Sequence, residues 1–320
     1  MLLTYSLRPL TLDELAEGMV VNHESQTFLP AEHRLTDTRH VLEICPSLVT
    51  VSSVRRDSPT QWLAEKYAIE RRDPWYQYAE NKTVEVVQFA HFSVHEYMVQ
   101  ERARLSPGIS RFGFSAPSAN QTIAELSLIY LLDFSGGVRI KDIDFDAFRF
   151  LSYAARYWPE HWRKSVSLFD QTNLNGLVQR LCDTDANHSA YINYVNIYQP
   201  DFPVDNLNHS DHHPWPIIRS EFRSLDGNPH PLYFMAQLGH QHLCAWLINQ
   251  QGCDVNSVRG YFGQPVHVAA HLGHRDVVSL LLDCGPTFID IAGNSGMRCK
   301  PPPLAATLMS RSFCLATELW

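Results

Sequence analysis

The same pattern occurs twice between residues 231 and 282, and this self-similarity limits the fold more than any other feature of the chain. Pro231-Leu-Tyr-Phe-Met-Ala-Gln-Leu-Gly-His240 aligns with Pro265-Val-His-Val-Ala-Ala-His-Leu-Gly-His274 at an offset of 34 residues. Behind them, Leu243, Trp246, Leu247 and Ile248 align with Val277, Leu280, Leu281 and Leu282. A unit of this length cannot bury its apolar face alone and must stack on its neighbours. The residue types predict two short helices joined by a tight turn. Pro231 and Pro265 suit a first helical turn, where a missing N–H costs nothing. Ala236, Ala269 and Ala270 let paired helices approach closely, and Gly239 and Gly273 supply a left-handed turn.

This pattern resembles the ankyrin repeat. His267 fits that family's T-P-L-H histidine, and the resemblance implies that it ties neighbouring repeats together. Three positions depart from the family: His230 and Gln264 stand where threonine precedes the proline, and Tyr233 replaces the histidine of the first repeat. These changes are expected to weaken local hydrogen bonding and leave the packing intact. Two full repeats are expected at about 226–257 and 258–292, with a partial third over 293–320 whose open end exposes Phe313, Leu315 and Trp320. Arg259, Tyr261 and Phe262 fall at the hairpin tip between repeats. Exposed aromatics and arginine are common binding anchors, so they are candidate partner contacts; an ordinary exposed turn is the other reading.

The N-terminal quarter has a different grammar. Thr11 and Glu14 form a capping box, and Leu10 and Leu15 have hydrophobic-staple spacing. A second helix start lies at Thr36-Asp37. Leu48–Val51 and Val84–Ala90 read as paired strands around a long charged connection with Trp62 and Trp75. Ser93 and Glu96 form another capping box, opening a helix through about Arg104. Helix, helix, strand, wing, strand, helix is the order of a winged helix. A DNA reader would need a basic recognition helix, but Arg39 and His40 stand beside Glu43. With 26 Lys and Arg against 34 Asp and Glu, the net charge of −8 argues against general polyanion binding.

Leu10-Thr-Leu-Asp-Glu-Leu-Ala, Ile44-Cys-Pro-Ser-Leu-Val-Thr-Val and Phe89-Ala-His-Phe-Ser-Val-His-Glu-Tyr together resemble the winged-helix arm of fungal NACHT–ankyrin proteins, signal-transducing NTPases of the NOD-like receptor (STAND) type. The module is also labelled after GPI inositol-deacylase, a domain name that carries no esterase activity. In that family a histidine in an F-x-H-x-S-x-x-E-F/Y pattern touches the phosphates of bound ADP. Phe89, His91, Ser93, Glu96 and Tyr97 match it, so the resemblance makes His91 a candidate phosphate contact; a histidine that only hydrogen-bonds its own strand end is the other reading. No G-x-x-x-x-G-K-[ST] occurs, so a nucleotide cradle would have to come from elsewhere. The resemblance therefore implies a C-terminal fragment of such a protein.

Between these parts, Gln121–Leu132 is densely apolar, with apolar residues all round, and reads as a buried helix. A helix over Phe145–Tyr157 is expected to close at Pro159, and Leu174, Leu177, Val178 and Leu181 form a further stripe. Phe150-Leu-Ser-Tyr-Ala-Ala-Arg-Tyr-Trp resembles the same family's helical bridge, and Tyr194-Val-Asn-Ile-Tyr-Gln-Pro-Asp its linker. His209, His212 and His213 cluster with Asp211 but lack a second ligand group, so no metal site is assigned. The seven cysteines show no C-x-x-C pair and read as reduced thiols of an intracellular, cytoplasmic protein. No apolar run approaches membrane-spanning length, and no export signal is apparent. No G-x-S-x-G elbow is present.

The expected fold class is mainly α. A small α/β winged helix with a long wing insertion occupies 1–105, a helical bridge 106–198, a Pro/His-rich linker 199–225, and a short ankyrin-repeat solenoid 226–320. The expected function is non-enzymatic and regulatory, with a protein partner on the repeats and no cofactor, nucleic acid or membrane. The alternative is the nucleotide-sensing part of an NTPase whose P-loop lies outside this chain.

Overall fold

Thr11 and Glu14 close on one another as their spacing predicts. The Glu14 N–H donates to Thr11 Oγ1 at 3.1 Å, and the Thr11 N–H donates to Glu14 Oε2 at 2.9 Å. This box starts a helix at Leu12 and buries the staple residues Leu10 and Leu15. The computed structural model describes residues 1–22, 27–28, 35, 37–44, 46–55, 83–100, 114–134, 148–165, 172–183, 188–197, 230–258 and 262–285. Two compact units divide the chain, the first taking in Met1–Tyr198 and the second Glu221–Trp320. The expected segments 1–105 and 106–198 thus share the first unit.

In chain order, the first unit begins with α1 (Leu2–Tyr5), β1 (Leu10–Thr11) and α2 (Leu12–Gly18). The short strands β2 (Val21–Asn22) and β3 (Thr27–Phe28) pair with each other. Helix α3 (His40–Ile44) precedes β4 (Val49–Arg55) and β5 (Thr83–Phe89), which pair antiparallel from Val49↔Phe89 to Arg55↔Thr83. β1 adds to the other side of β5 with Leu10 opposite Val87, so the sheet order is β1-β5-β4. In β5 the adjacent Val86 and Val87 are both buried, and Glu85 and Gln88 on either side are exposed.

Helix α4 (Phe92–Val99) follows the sheet. Its expected cap is corrected. Ser93 lies inside the first turn, and His91 caps the helix with Nδ1 accepting from the Ser93 N–H at 3.2 Å. The Ser93/Glu96 box fails because His91 reaches the free N–H groups first. Helix α5 (Ala116–Leu132) starts five residues before the expected Gln121, capped by Ser115 with Pro117 in its first turn. It is buried on every side from Ile123 to Leu132, as an all-round apolar helix should be.

Helix α6 (Leu151–Ser165) corrects a second expectation, since it runs through Pro159. Proline removes one backbone donor and normally breaks a helix. Here Trp158 just before the proline and His161 and Trp162 just after it are all buried, and their packing holds the helix together across Pro159. Helix α7 (Thr172–Cys182) buries the predicted Leu174, Leu177, Val178 and Leu181 stripe. Helix α8 (His188–Ile197) was not anticipated; Tyr191, Tyr194, Val195 and Ile197 bury its inner side.

The second unit holds α9 (Pro231–Gln237), α10 (Gln241–Gln251), α11 (Pro265–His271) and α12 (Arg275–Asp283). α9 pairs with α10 and α11 with α12, and the second pair stacks on the first, α9 against α11 and α10 against α12. Among the described residues the architecture is therefore mainly helical, with a three-stranded and a two-stranded sheet. No helix among the described residues is long and apolar enough to cross a membrane. Residues 56–82, expected as a wing, 199–225, expected as a linker, and 293–320, expected as a partial third repeat, lie outside the described residues.

Candidate functional site

The two helix pairs turn by the same geometry. Gly239 and Gly273 adopt φ of 75° and 79°, the left-handed region that L side chains avoid. The His240 N–H then donates to the Met235 carbonyl at 3.0 Å, and the His274 N–H to the Ala269 carbonyl at 2.9 Å. Behind these turns Leu243, Leu247, Val277 and Leu281 are all buried. Six of the seven residues of α9 are buried, Pro231 through Ala236, so this inner helix offers little contact surface.

The junction between the repeats carries the candidate contacts. Phe262 is pinned at three points. Its N–H donates to the Tyr233 hydroxyl at 3.1 Å, its carbonyl faces His267, and its ring stacks on His271 with centroids 4.4 Å apart. The ring thus folds back over α11 and is only half exposed. Arg259 and Tyr261, its companions in the sequence reading, lie outside the described residues. Val258 (39%) and Leu272 (45%) are exposed apolar side chains of this unit that the sequence did not single out.

Two expectations about the repeats change. The hydrogen bonds of His267 stay within its own repeat: Nδ1 accepts from the Gln264 N–H at 3.3 Å, and the ring faces the Phe262 carbonyl. The ties between repeats come instead from Tyr233 and from His274, whose Nε2–H donates to the Gln237 carbonyl at 2.9 Å. Tyr233 was expected to weaken local bonding; its longer side chain reaches across the junction where an imidazole would stop short. The equivalent histidines also diverge. His274 reaches back to the first repeat, whereas His240 caps α10, its Nδ1 accepting from the Leu243 N–H at 3.2 Å. Burial, and to a lesser degree His242 nearby, pulls His240 down to about 4. Burial likewise lowers His267.

His91 stands apart from these groups, at the end of β5 in the first unit. It is exposed, with Nδ1 2.7 Å from Ser93 Oγ as well as accepting from the Ser93 N–H. A backbone N–H only donates, so Nδ1 is bare and Nε2 carries the proton. The ring therefore presents a free-standing donor on its outer edge. Phe92 beside it is 70% exposed, its ring stacked on His95.

Among the described residues no group of three His, Cys, Asp or Glu side chains is placed to hold a metal. His209, Asp211, His212 and His213 lie outside them. Cys244, Cys253 and Cys284 are free thiols. Burial raises Cys244 and pushes Cys253 up to about 12, which leaves both as inert core thiols.

Comparison with known proteins agrees with the repeat geometry. The ankyrin repeat family model matches residues 265–294, which takes in α11 and α12. The protein named "Azaphilone pigments biosynthesis cluster protein L", from Monascus ruber, is 28% identical over 292 residues, covering 89% of this chain and 54% of that protein. The chain thus spans about half the length of the curated relative it matches. No solved structure matches. The C-terminal unit of this chain carries an ankyrin repeat, and the chain is a distant homologue of a fungal secondary-metabolite cluster protein.

Proposed function

We propose that this chain is a non-enzymatic recognition module that presents the junction between its two helix pairs to a protein partner. The observation that carries this reading is the threefold pinning of Phe262 by Tyr233, His267 and His271. A contact residue held in place before binding loses little freedom on association. Because α9 is buried, binding falls to the junction, with Phe262, Arg259 and Tyr261, and to the exposed Leu272. A photo-crosslinking residue placed at position 262 tests it in the full chain. The expected result is one discrete protein adduct from 262 and none from position 249 on the outer helix α10. The reading fails if both positions give the same adducts.

The larger setting we infer is a regulatory protein of NOD-like receptor type, acting inside the cell without chemistry of its own. The sheet order β1-β5-β4, with α2 and α3 between its first two strands, supports a winged helix over 1–105. The relative's name ties that protein to a pigment biosynthesis cluster, and a regulatory part in such a cluster is the matching proposal here. A second reading makes the first unit a nucleotide sensor that borrows a P-loop from another chain. The Nε2–H of His91 favours it, because that edge is a suitable donor to a phosphate oxygen. Titration with ADP decides between them: heat lost on His91→Ala supports the sensor, and no heat at millimolar nucleotide removes it for this chain.

A further inference from the structure

The first unit contains a buried line of hydrogen bonds that neither reading uses. The Leu7 N–H donates to Tyr153 Oη at 3.1 Å. Tyr153 Oη lies 2.8 Å from His161 Nε2, and His161 Nδ1 lies 2.7 Å from Asn120 Oδ1. Asn120 Nδ2 donates to the Ala116 carbonyl at 2.7 Å. These contacts set the direction of every bond. The Asn120 nitrogen is occupied by Ala116, so its oxygen faces His161 and only accepts. His161 Nδ1 therefore carries the imidazole proton, Nε2 is bare, and Nε2 accepts from the Tyr153 hydroxyl. Each hydrogen bond along the line then has one donor and one acceptor while His161 is neutral.

A second proton would break this order. It would occupy Nε2, displace the Tyr153 hydrogen from its acceptor, and place a cation on a side chain with 0% exposure. Among the described residues, the carboxylates of the neighbouring helices are already engaged. Glu14 binds Arg8 through both oxygens, at 2.6 and 2.7 Å. Glu17 accepts from the Phe150 N–H, and Glu125 from Gln121 on α5. Glu160 is taken by Arg163 and Lys164 on α6 itself. The remaining ionisable neighbours make a cation less welcome or are neutral. Arg8 lies over the rings of Tyr153 and Tyr157, Arg156 lies over Tyr157, and α8 meets α6 with Tyr194 against Trp158.

We propose that the line from Leu7 through Tyr153 and His161 to Asn120 is an acid-sensitive clamp on the N-terminal arm, closed while His161 is neutral and opened by its protonation. The arm has further ties. Tyr5 donates to the Phe114 carbonyl at 2.9 Å, and the Thr4 carbonyl accepts from His95 Nε2 at 3.3 Å. His95 belongs to α4, so opening the clamp loosens the helix that begins beside His91. Burial, with a smaller push from Lys164, lowers His161 from 6.5 to about 4. The clamped value lies below the released one, so clamping is complete above about pH 6.5 and is lost as pH falls towards 4.

Amide hydrogen exchange on the full chain tests this, with each rate corrected for its intrinsic pH dependence. Between about pH 7 and about pH 5 the protection of the Leu7 amide should fall about 20-fold, while that of Leu128 inside α5 stays level. Tyr153→Phe keeps the ring and removes the hydroxyl, so its Leu7 amide should be poorly protected at both pH values. His161→Gln should flatten the pH profile; Tyr153→Phe alone suffices should that variant fail to fold. The clamp is overturned by a Leu7 amide with pH-independent protection, by Leu7 and Leu128 losing protection together, or by a Tyr153→Phe profile matching the parent.

Discussion

The hydroxyl of Tyr233 in the first helix pair accepts a hydrogen bond from the backbone N–H of Phe262 at the head of the second, across 3.1 Å. The phenol serves as a cross-repeat acceptor, whereas His267 at the equivalent position of the second pair bonds within its own repeat. Tyr233→Phe preserves the buried ring and deletes that bond. A single hydrogen bond of this kind contributes about 1 kcal/mol. Exchange at the Phe262 amide should therefore quicken about fivefold, with the core amides of α10 changing far less.

Gly239 and Gly273 share a left-handed backbone but differ in surroundings. A Cβ on Gly239 would lie 2.5 Å from His274 Nδ1, whereas one on Gly273 would meet nothing within 4 Å. Gly273→Ala should cost about 1 kcal/mol from backbone strain alone. Gly239→Ala should cost about 2 kcal/mol more, because His274 must swing away and give up the Gln237 carbonyl. Chemical denaturation of the two variants, read from the α9–α12 amides, checks the ranking; equal losses would contradict it.

Arg8 and Glu14 form a two-pronged ion pair in which Glu14 is only 4% exposed. Removing one partner of a buried pair strands the other charge, at a cost of about 3 kcal/mol or more. Arg8→Ala should destabilise the first unit by that order and also lose the contact with the Tyr153 ring. The double variant Arg8→Ala/Glu14→Leu should recover part of the loss, since no stranded carboxylate remains. Urea midpoints for the parent, the single and the double variant measure it.

The cap on α10 predicts acid lability in the second unit. His240 must keep Nδ1 bare to accept the Leu243 N–H, and its folded value of about 4 lies below the ordinary 6.5. The stability it contributes is fully present above about pH 6.5 and is lost as pH falls to 4. After allowance for its partial exposure the loss is about 2 kcal/mol. His240→Asn retains a good capping oxygen without the titration. The variant should match the parent near neutrality and exceed it at pH 5, in thermal melts followed through the α10 amides.

Much of the fold can be read from short-range rules, and the particular residues show why. The Thr11–Glu14 box, the Pro231 and Pro265 helix starts and the Gly239 and Gly273 turns each depend on neighbours within about five residues. Their logic is written in adjacent letters. Pro159 was misread for the complementary reason. Its local preference ends a helix, but burial of Trp158, His161 and Trp162 outweighs it, and burial is a property of the assembled unit. The cap on α4 was misplaced because serine is an ordinary cap and histidine is not, so the sequence signal pointed two residues downstream.

The candidate contacts divide along the same line. Alignment of the repeats marks Phe262 as lying between them, and the match to the phosphate-contact pattern marks His91. Neither indicates that Phe262 folds back onto His271 or that His91 spends Nδ1 on a helix cap. By itself the sequence determined the period, the helix ends and the apolar rows, since these follow from backbone sterics and from side chains one or two turns apart. Only the tertiary structure decided that Tyr233 meets Phe262, 29 residues on, and that His161 meets Asn120, 41 residues back. Partners so distant are chosen by packing, and the proton positions that give His161 its chemistry exist only once Asn120 and Tyr153 face it.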